Sequence, residues 1–201
     1  FQEHSITSST QAFPFQLTLD SNGNVWFTEL FANKLGEITS SGNLNEYKLP
    51  SVHGSAFDTG PVGITLAQNG MIWFTVPDAN SIGSFSTIGN SFHEYNFTGK
   101  IRTPIGIASD SEGNIWITQH GASLISEFNP VTGYFRSIST SNPSSPFYTS
   151  LPYFVYIDSL DNVWFNEHYN NAIGKFSPSS NSMVEYTTPT KIAFWSGIAG
   201  V

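Results

Sequence analysis

The chain has 201 residues, of which 39% are hydrophobic and 15% aromatic, enough to bury a sizeable core and too apolar for a disordered segment. Seven Lys plus Arg against fifteen Asp plus Glu leave a net charge of −8, which repels nucleic-acid phosphates and anionic lipid and so excludes nucleic acid as a partner. There is no Cys, so thiol catalysis, Cys-ligated zinc and disulfides are excluded, and no apolar run reaches the roughly 18 residues of a membrane span.

The elements follow a repeat. Residues 1–7, FQEHSIT, read as an outer strand, because the same kind of text closes each later unit. Trp26, Trp73, Trp116 and Trp164 each stand twelve residues after a proline, Pro14, Pro61, Pro104 and Pro152, which spaces the units 47, 43 and 48 residues apart. In the first unit the chemistry places strand A near 15–19, a hairpin turn at Asn22-Gly23, strand B near 24–29, strand C near 34–39 and strand D near 44–49. The same order recurs. Turn text precedes every Trp (SNGNVW, QNGMIW, SEGNIW, SLDNVW), an aliphatic residue follows nine positions later (Leu35, Ile82, Ile125, Ile173), and aromatic-rich text ends the units at 44–50, 92–98 and 183–189. The segments are short, rich in Val, Ile, Phe, Trp and Thr, and bounded by Gly, Asn, Asp, Ser and Pro, so no window offers a helix.

Four-strand units of 40 to 50 residues predict an all-β chain built as a β-propeller, with complete blades near 14–50, 61–98, 104–141 and 152–189. The four Trp then pack between blades. Residues 193–201 read as an inner strand A, so a partial blade strand stands at each end. Eighteen strands do not close, and the chain is expected to be part of a larger propeller of five to seven blades.

The text P-x-G-I, D-x-x-G-N-V-W-F-T-E, N-K-I-G and E-Y-x-[IL]-P resembles the streptogramin lyase (virginiamycin B lyase) propeller family, most closely over Asp20 to Pro50. That resemblance implies a seven-bladed ring and a carbon–oxygen lyase that opens a cyclic depsipeptide lactone with Mg2+. It also implies histidines just after Gly-Pro at the start of strand A, and a glutamate ending the Trp-Phe-Thr-Glu text. Here the residues after the four prolines are Phe15, Val62, Ile105 and Tyr153, and the glutamate position holds Glu29, Val76, Gln119 and Glu167.

In a propeller the B–C and D–A loops share one face, and here the D–A connectors (50–60, 98–103, 139–151, 189–194) vary in length while the A–B turns do not, so function is expected on that face. His120 and His168 stand four residues after Trp in consecutive units, beside Gln119 and Glu167. Two imidazoles and the Glu167 carboxylate suit a divalent metal or acid–base work; alternatively the histidines are solvated strand-end residues. Glu29 is either a ligand-facing carboxylate or a strand-end charge. His53, Phe57 and Asp58 in the first connector, and Phe147 and Tyr148 in the longest, are candidate ligand contacts or plain loop residues. His4 and His93 fall on outer strands. Asn96-Phe97-Thr98 is the one N-glycosylation triplet, and with the Ser/Thr/Asn-rich surface it points to an extracellular or cell-surface protein.

Two functions follow from this reading. One is a binding scaffold for a protein, a glycan or neighbouring domains of a longer chain, with no cofactor. The other is a Mg2+-dependent lyase or lactonase built on Glu29, Glu167, His120 and His168.

Overall fold

The computed structural model describes Ile6 and residues 12–50, 60–97, 99–140 and 150–189. These hold four antiparallel four-stranded sheets, each with its strands side by side in chain order. Blade one is β1 (Pro14–Leu19), β2 (Val25–Glu29), β3 (Lys34–Ile38) and β4 (Leu44–Lys48). Blade two is β5 (Ile64–Leu66), β6 (Ile72–Val76), β7 (Ser81–Ser86) and β8 (Ser91–Asn96). Blade three is β9 (Pro104–Ser109), β10 (Ile115–Gln119), β11 (Leu124–Phe128) and β12 (Phe135–Ser139); blade four is β13 (Pro152–Ile157), β14 (Val163–Glu167), β15 (Ala172–Ser177) and β16 (Ser182–Thr187). The strands expected in the first unit are present within a residue at each end. The expected end strands at 1–7 and 193–201 lie outside the described residues. One single-turn 3-10 helix, His120–Ala122, departs from the purely β expectation.

Two compact units divide the chain, one with blades one and two, the other with blades three and four. Within the first, Trp26 is fully buried and packs with Phe85, Phe74, Ile64 and Ile72 of blade two. Within the second, Trp116 packs in the same way on Val163, Phe165 and Phe176 of blade four. Trp73 is buried as well. Trp164 is half-buried: it stacks on Tyr186 at 5.8 Å and lies under Lys175, and no blade follows it among the described residues.

A size-matched pair sets the thickness of each blade. Phe27, Phe74 and Phe165 stand directly across from Gly36, Gly83 and Gly174 on the next strand. A Cβ on any of these glycines would fall 2.1–2.2 Å from the tip of the facing ring. Blade three has the smaller Ile117 instead, and across from it Ser126 is accommodated.

Each A–B turn is wound around an aspartate in blades one, three and four. Asp158 accepts the backbone N–H groups of Leu160 and Asn162 through Oδ1, and the Asn162 amide and the Trp164 indole N–H (2.8 Å) through Oδ2. Asp20 and Asp110 repeat these contacts with Trp26 and Trp116. In this way the turn residue that ends strand A also fixes the orientation of the core indole.

Within each unit the two blades are joined by a threonine two residues after the Trp of the first. Thr28 Oγ1 donates to the carbonyl of Val62 (2.9 Å), and Thr118 Oγ1 accepts from Gly106 N (2.8 Å) and donates to the carbonyl of Tyr153 (2.5 Å). A buried hydroxyl that both accepts and donates has its own hydrogen-bonding capacity met between the sheets.

Candidate functional site

The start of strand A is irregular where the family resemblance locates its histidines. The ladder slips between Pro14 and Leu17, between Pro104 and Ile107, and between Pro152 and Val155, so Phe15, Ile105 and Tyr153 each sit in a bulge. Bulges re-aim a side chain that a regular ladder would hold in line. The carbonyl of Tyr153 is held by Thr118 of the preceding blade, which anchors the bulge to blade three.

His120 and His168 are fixed by equivalent main-chain bonds at the ends of β10 and β14. His120 N donates to Thr103 O (3.1 Å) and His168 N to Leu151 O (3.3 Å), so each histidine is tied to the residue before its own blade's proline. The structure brings the two together around Tyr153. The Tyr153 and His168 rings stack at 4.4 Å with 19° between planes. His120 stands 5.5 Å from the first and 5.7 Å from the second, at 90° and 75°. Near-equal distances place His120 at the side of the stack, facing the ring edges, since a position on the stack axis would make the two distances differ by the stacking separation. Nδ1 of His120 is buried and has no hydrogen-bond partner among the described residues. Burial also raises the pKa of the Tyr153 phenol, so its hydroxyl stays protonated over the physiological range.

The position three residues after Trp is an interior one. Glu29, Gln119 and Glu167 are fully buried and Val76 nearly so. Gln119 is committed to structure: its Oε1 accepts from Arg102 N (2.9 Å) in the connector entering blade three, and its Nε2 donates to Ser126 Oγ (2.5 Å). Glu167 Oε2 accepts from the Asn170 amide at 2.9 Å, while Oε1 is buried with no partner among the described residues. Burial pushes the Glu167 carboxyl up to about 7; the Asn170 hydrogen bond opposes this and the nearby Glu185 carboxylate adds to it. Glu167 lies on the same face of β14 as Phe165, the face packed against Trp116 of blade three. Glu29 lies at the end of β2, opposite Lys34 of β3.

The remaining candidates separate from this cluster. His93 is exposed on β8, edge-on to Tyr95. Asn96 is exposed at the end of that strand, as a glycan acceptor requires, while Thr98 of its triplet lies outside the described residues. His4, His53, Phe57, Asp58, Phe147 and Tyr148 also lie outside them. Tyr153 is the site residue that the sequence reading missed. Its signal was its place after Pro152, where the resemblance calls for an imidazole and a polar aromatic stands instead.

The model of the virginiamycin B lyase family matches residues 1–200. This chain belongs to that family. Among solved structures, a streptogramin B lyase is 26% identical over 92% of this chain and 58% of its own, with a TM-score of 0.79. A catalytically inactive virginiamycin B lyase from Staphylococcus aureus, solved with quinupristin, is 29% identical over 92% of this chain and 58% of its own, with a TM-score of 0.78. The lyase-family chain described here therefore spans less than three-fifths of the length of those enzymes. A putative gluconolactonase shares the fold at 14% identity and a TM-score of 0.67. A search of curated proteins finds no significant match. The four sheets are blades of a β-propeller, as the repeat predicted.

Mg2+, which the family resemblance implies, demands a near-octahedral shell of oxygens. The residues gathered here are two imidazoles and a phenol, and the Glu167 carboxylate is engaged by Asn170. Among the described residues no three His, Asp or Glu side chains are arranged to hold a metal ion. The His120, Glu167 and His168 set proposed from the sequence is therefore not a formed three-ligand centre, because Glu167 is turned into the packed face of its blade. This donor set does not fit Mg2+.

Proposed function

We propose that the chain is part of an extracellular or cell-surface propeller of the lyase family that binds a ligand without opening it, and that the His120–Tyr153–His168 cluster is one wall of the binding face. The observation that carries this is the phenol of Tyr153 at the strand-A position that the family resemblance gives to histidine, stacked on His168. A protonated phenol donates a hydrogen bond well and abstracts a proton poorly, so this position suits holding an ester or peptide carbonyl better than eliminating across it. The scarcity of Lys and Arg and the exposed Asn96 support the extracellular setting.

The ligand class follows from the relatives: a cyclic depsipeptide or related lactone. Binding of quinupristin by the full chain, followed by calorimetry, with its integrity followed by chromatography, tests the reading. Binding with an intact ring, weakened at least tenfold by His120→Phe or Tyr153→Leu, is the expected result. Absence of binding overturns it. Ring opening also overturns it, and favours a second reading as a carbon–oxygen lyase, for which the two retained glutamates, Glu29 and Glu167, both fully buried, are the specific support.

A further inference from the structure

We propose that the opposite end of blades three and four, among the turns that join strand A to B and C to D, holds a second binding site, which takes a free aliphatic α-amino acid as its zwitterion. The inference stands apart from the proposed reading. It uses no residue of the His120–Tyr153–His168 cluster, which lies at the other ends of the same strands.

A cavity of about 340 Å3 opens there between the two blades, inside the roughly 300–1,000 Å3 range of small-molecule pockets. Blade three contributes Glu112, Glu127 and Arg136 to its lining, and blade four contributes Leu160, Asp161 and Pro178. The rim is tied across the blades. Asp161 Oδ1 accepts from Ser111 N (2.9 Å) and Asp161 Oδ2 from the Ser111 hydroxyl (2.5 Å). Asp161 occupies the left-handed turn position (φ 58°) that Gly23, Gly70 and Gly113 occupy in the other blades, so only this pair of blades has a side chain there to make the tie. Arg136 is fixed as well. Its Nε donates to Glu127 Oε2 (2.5 Å), and its guanidinium carbon lies 5.8 and 5.7 Å from the centres of the Trp116 and Phe176 rings. Beyond these, Nη1 makes one long contact, 3.4 Å, to Asn181 Oδ1, so the outer edge of the fork keeps donors for a ligand.

The charges select the ligand. Asp110 also borders the cavity, but its carboxylate is saturated by its own turn and the Trp116 indole. Glu127 is paired with Arg136, and both oxygens of Asp161 accept from Ser111. What is left for a ligand is the Arg136 fork and Glu112, which is exposed and whose carboxylate has no hydrogen-bond partner among the described residues. A simple anion would meet four carboxylates in this lining, and a simple cation would face a guanidinium that cannot be deprotonated. A ligand carrying both signs satisfies both walls through charge-assisted hydrogen bonds, its carboxylate on Arg136 and its ammonium on Glu112. An α-amino acid holds these two charges on one carbon. Leu160, 79% exposed, and Pro178 give the cavity an apolar lip, so the side chain that fits against it is aliphatic.

The test is calorimetric titration of the full chain with L-leucine in an amine-free buffer near neutral pH. Saturable binding of one leucine per chain is expected. On the unsubstituted protein, isocaproate, which lacks the ammonium, and L-leucinamide, which lacks the carboxylate, should each bind at least tenfold more weakly. Glu112→Gln changes an exposed side chain and should weaken leucine binding at least tenfold, as should Arg136→Gln. Arg136 also pairs with Glu127, so the two analogues and Glu112→Gln decide the matter even where the arginine variant fails to fold. No saturable binding, equal binding of either analogue, or unaltered affinity in Glu112→Gln would each overturn the inference. No depsipeptide is present in the titration, so its failure is distinct from failure of quinupristin binding.

Discussion

Replacing Glu167 with Gln tests the physical reading of the site's interior. Glu167 is fully buried, and its folded-state pKa of about 7 lies above the ordinary 4.5. A raised carboxyl means that the folded state keeps its proton where the unfolded chain has lost it, so unfolding releases a proton and stability falls as pH rises from 4.5 to about 7. At 1.36 kcal/mol per pH unit, that interval amounts to about 3 kcal/mol, fully felt above pH 8 and absent below pH 4. Blade three shows that an amide fits. Gln119 occupies the equivalent position, fully buried, with both ends hydrogen-bonded. The Glu167→Gln protein should therefore match the unsubstituted chain near pH 4.5 and exceed it by about 3 kcal/mol at pH 8, read from urea midpoints at constant ionic strength. Parallel pH profiles for the two proteins would refute the argument, because they would mean that burial does not hold this carboxyl near neutrality.

The Phe–Gly pairs predict a coupled core. Gly36→Ser and Phe27→Ile should each destabilise by about 1–3 kcal/mol, while the double variant, which copies the Ile117–Ser126 pair, should recover at least about 1 kcal/mol of their sum. Simple additivity in chemical denaturation would contradict the size-matching argument. Asp158 predicts the opposite pH behaviour to Glu167. Burial works against its charge, but hydrogen bonds from Trp164, Asn162 and Leu160 outweigh this and hold its pKa down at about 2. Its contribution is present above pH 3.8 and lost as pH falls through about 2, so Asp158→Asn should flatten the acid limb of a Tm-against-pH curve, and an unchanged limb would count against it.

The blades were legible because their signals are local: a proline, a turn and a Trp at fixed spacing place each strand without knowledge of any other. The Trp164 expectation went further than the structure bears out, since the burial of that indole depends on a neighbour and not on its own unit. The meeting of His120 with His168 was foreseen as adjacency, but the third ring was not. Tyr153 is separated from His120 by a whole connector and reaches it through a bulge, and a period-2 pattern cannot reveal a bulge. The aspartates were visible as repeated letters, and their bond to the indole emerges only when the turn closes and brings position −6 under the ring. Gln119 and Glu167 looked alike in sequence as polar strand ends. Their environments differ because the neighbouring strand offers Gln119 the Ser126 hydroxyl, two residues beyond its own ladder partner Leu124, and has Gly174 at the equivalent place near Glu167, with no side chain to offer.

The threonine link has a consequence for how such a protein can change over evolutionary time. Its acceptors are main-chain carbonyls, and in both resolved cases they belong to the residue that follows the blade's proline, Val62 or Tyr153. A main-chain acceptor is indifferent to the side chain it carries. Mutations at that position can therefore exchange a valine for a phenol or an imidazole while the joint between blades persists, so chemistry is free to drift where architecture is held constant. A scaffold wired in this way keeps the same joint between blades whichever side chain that position carries.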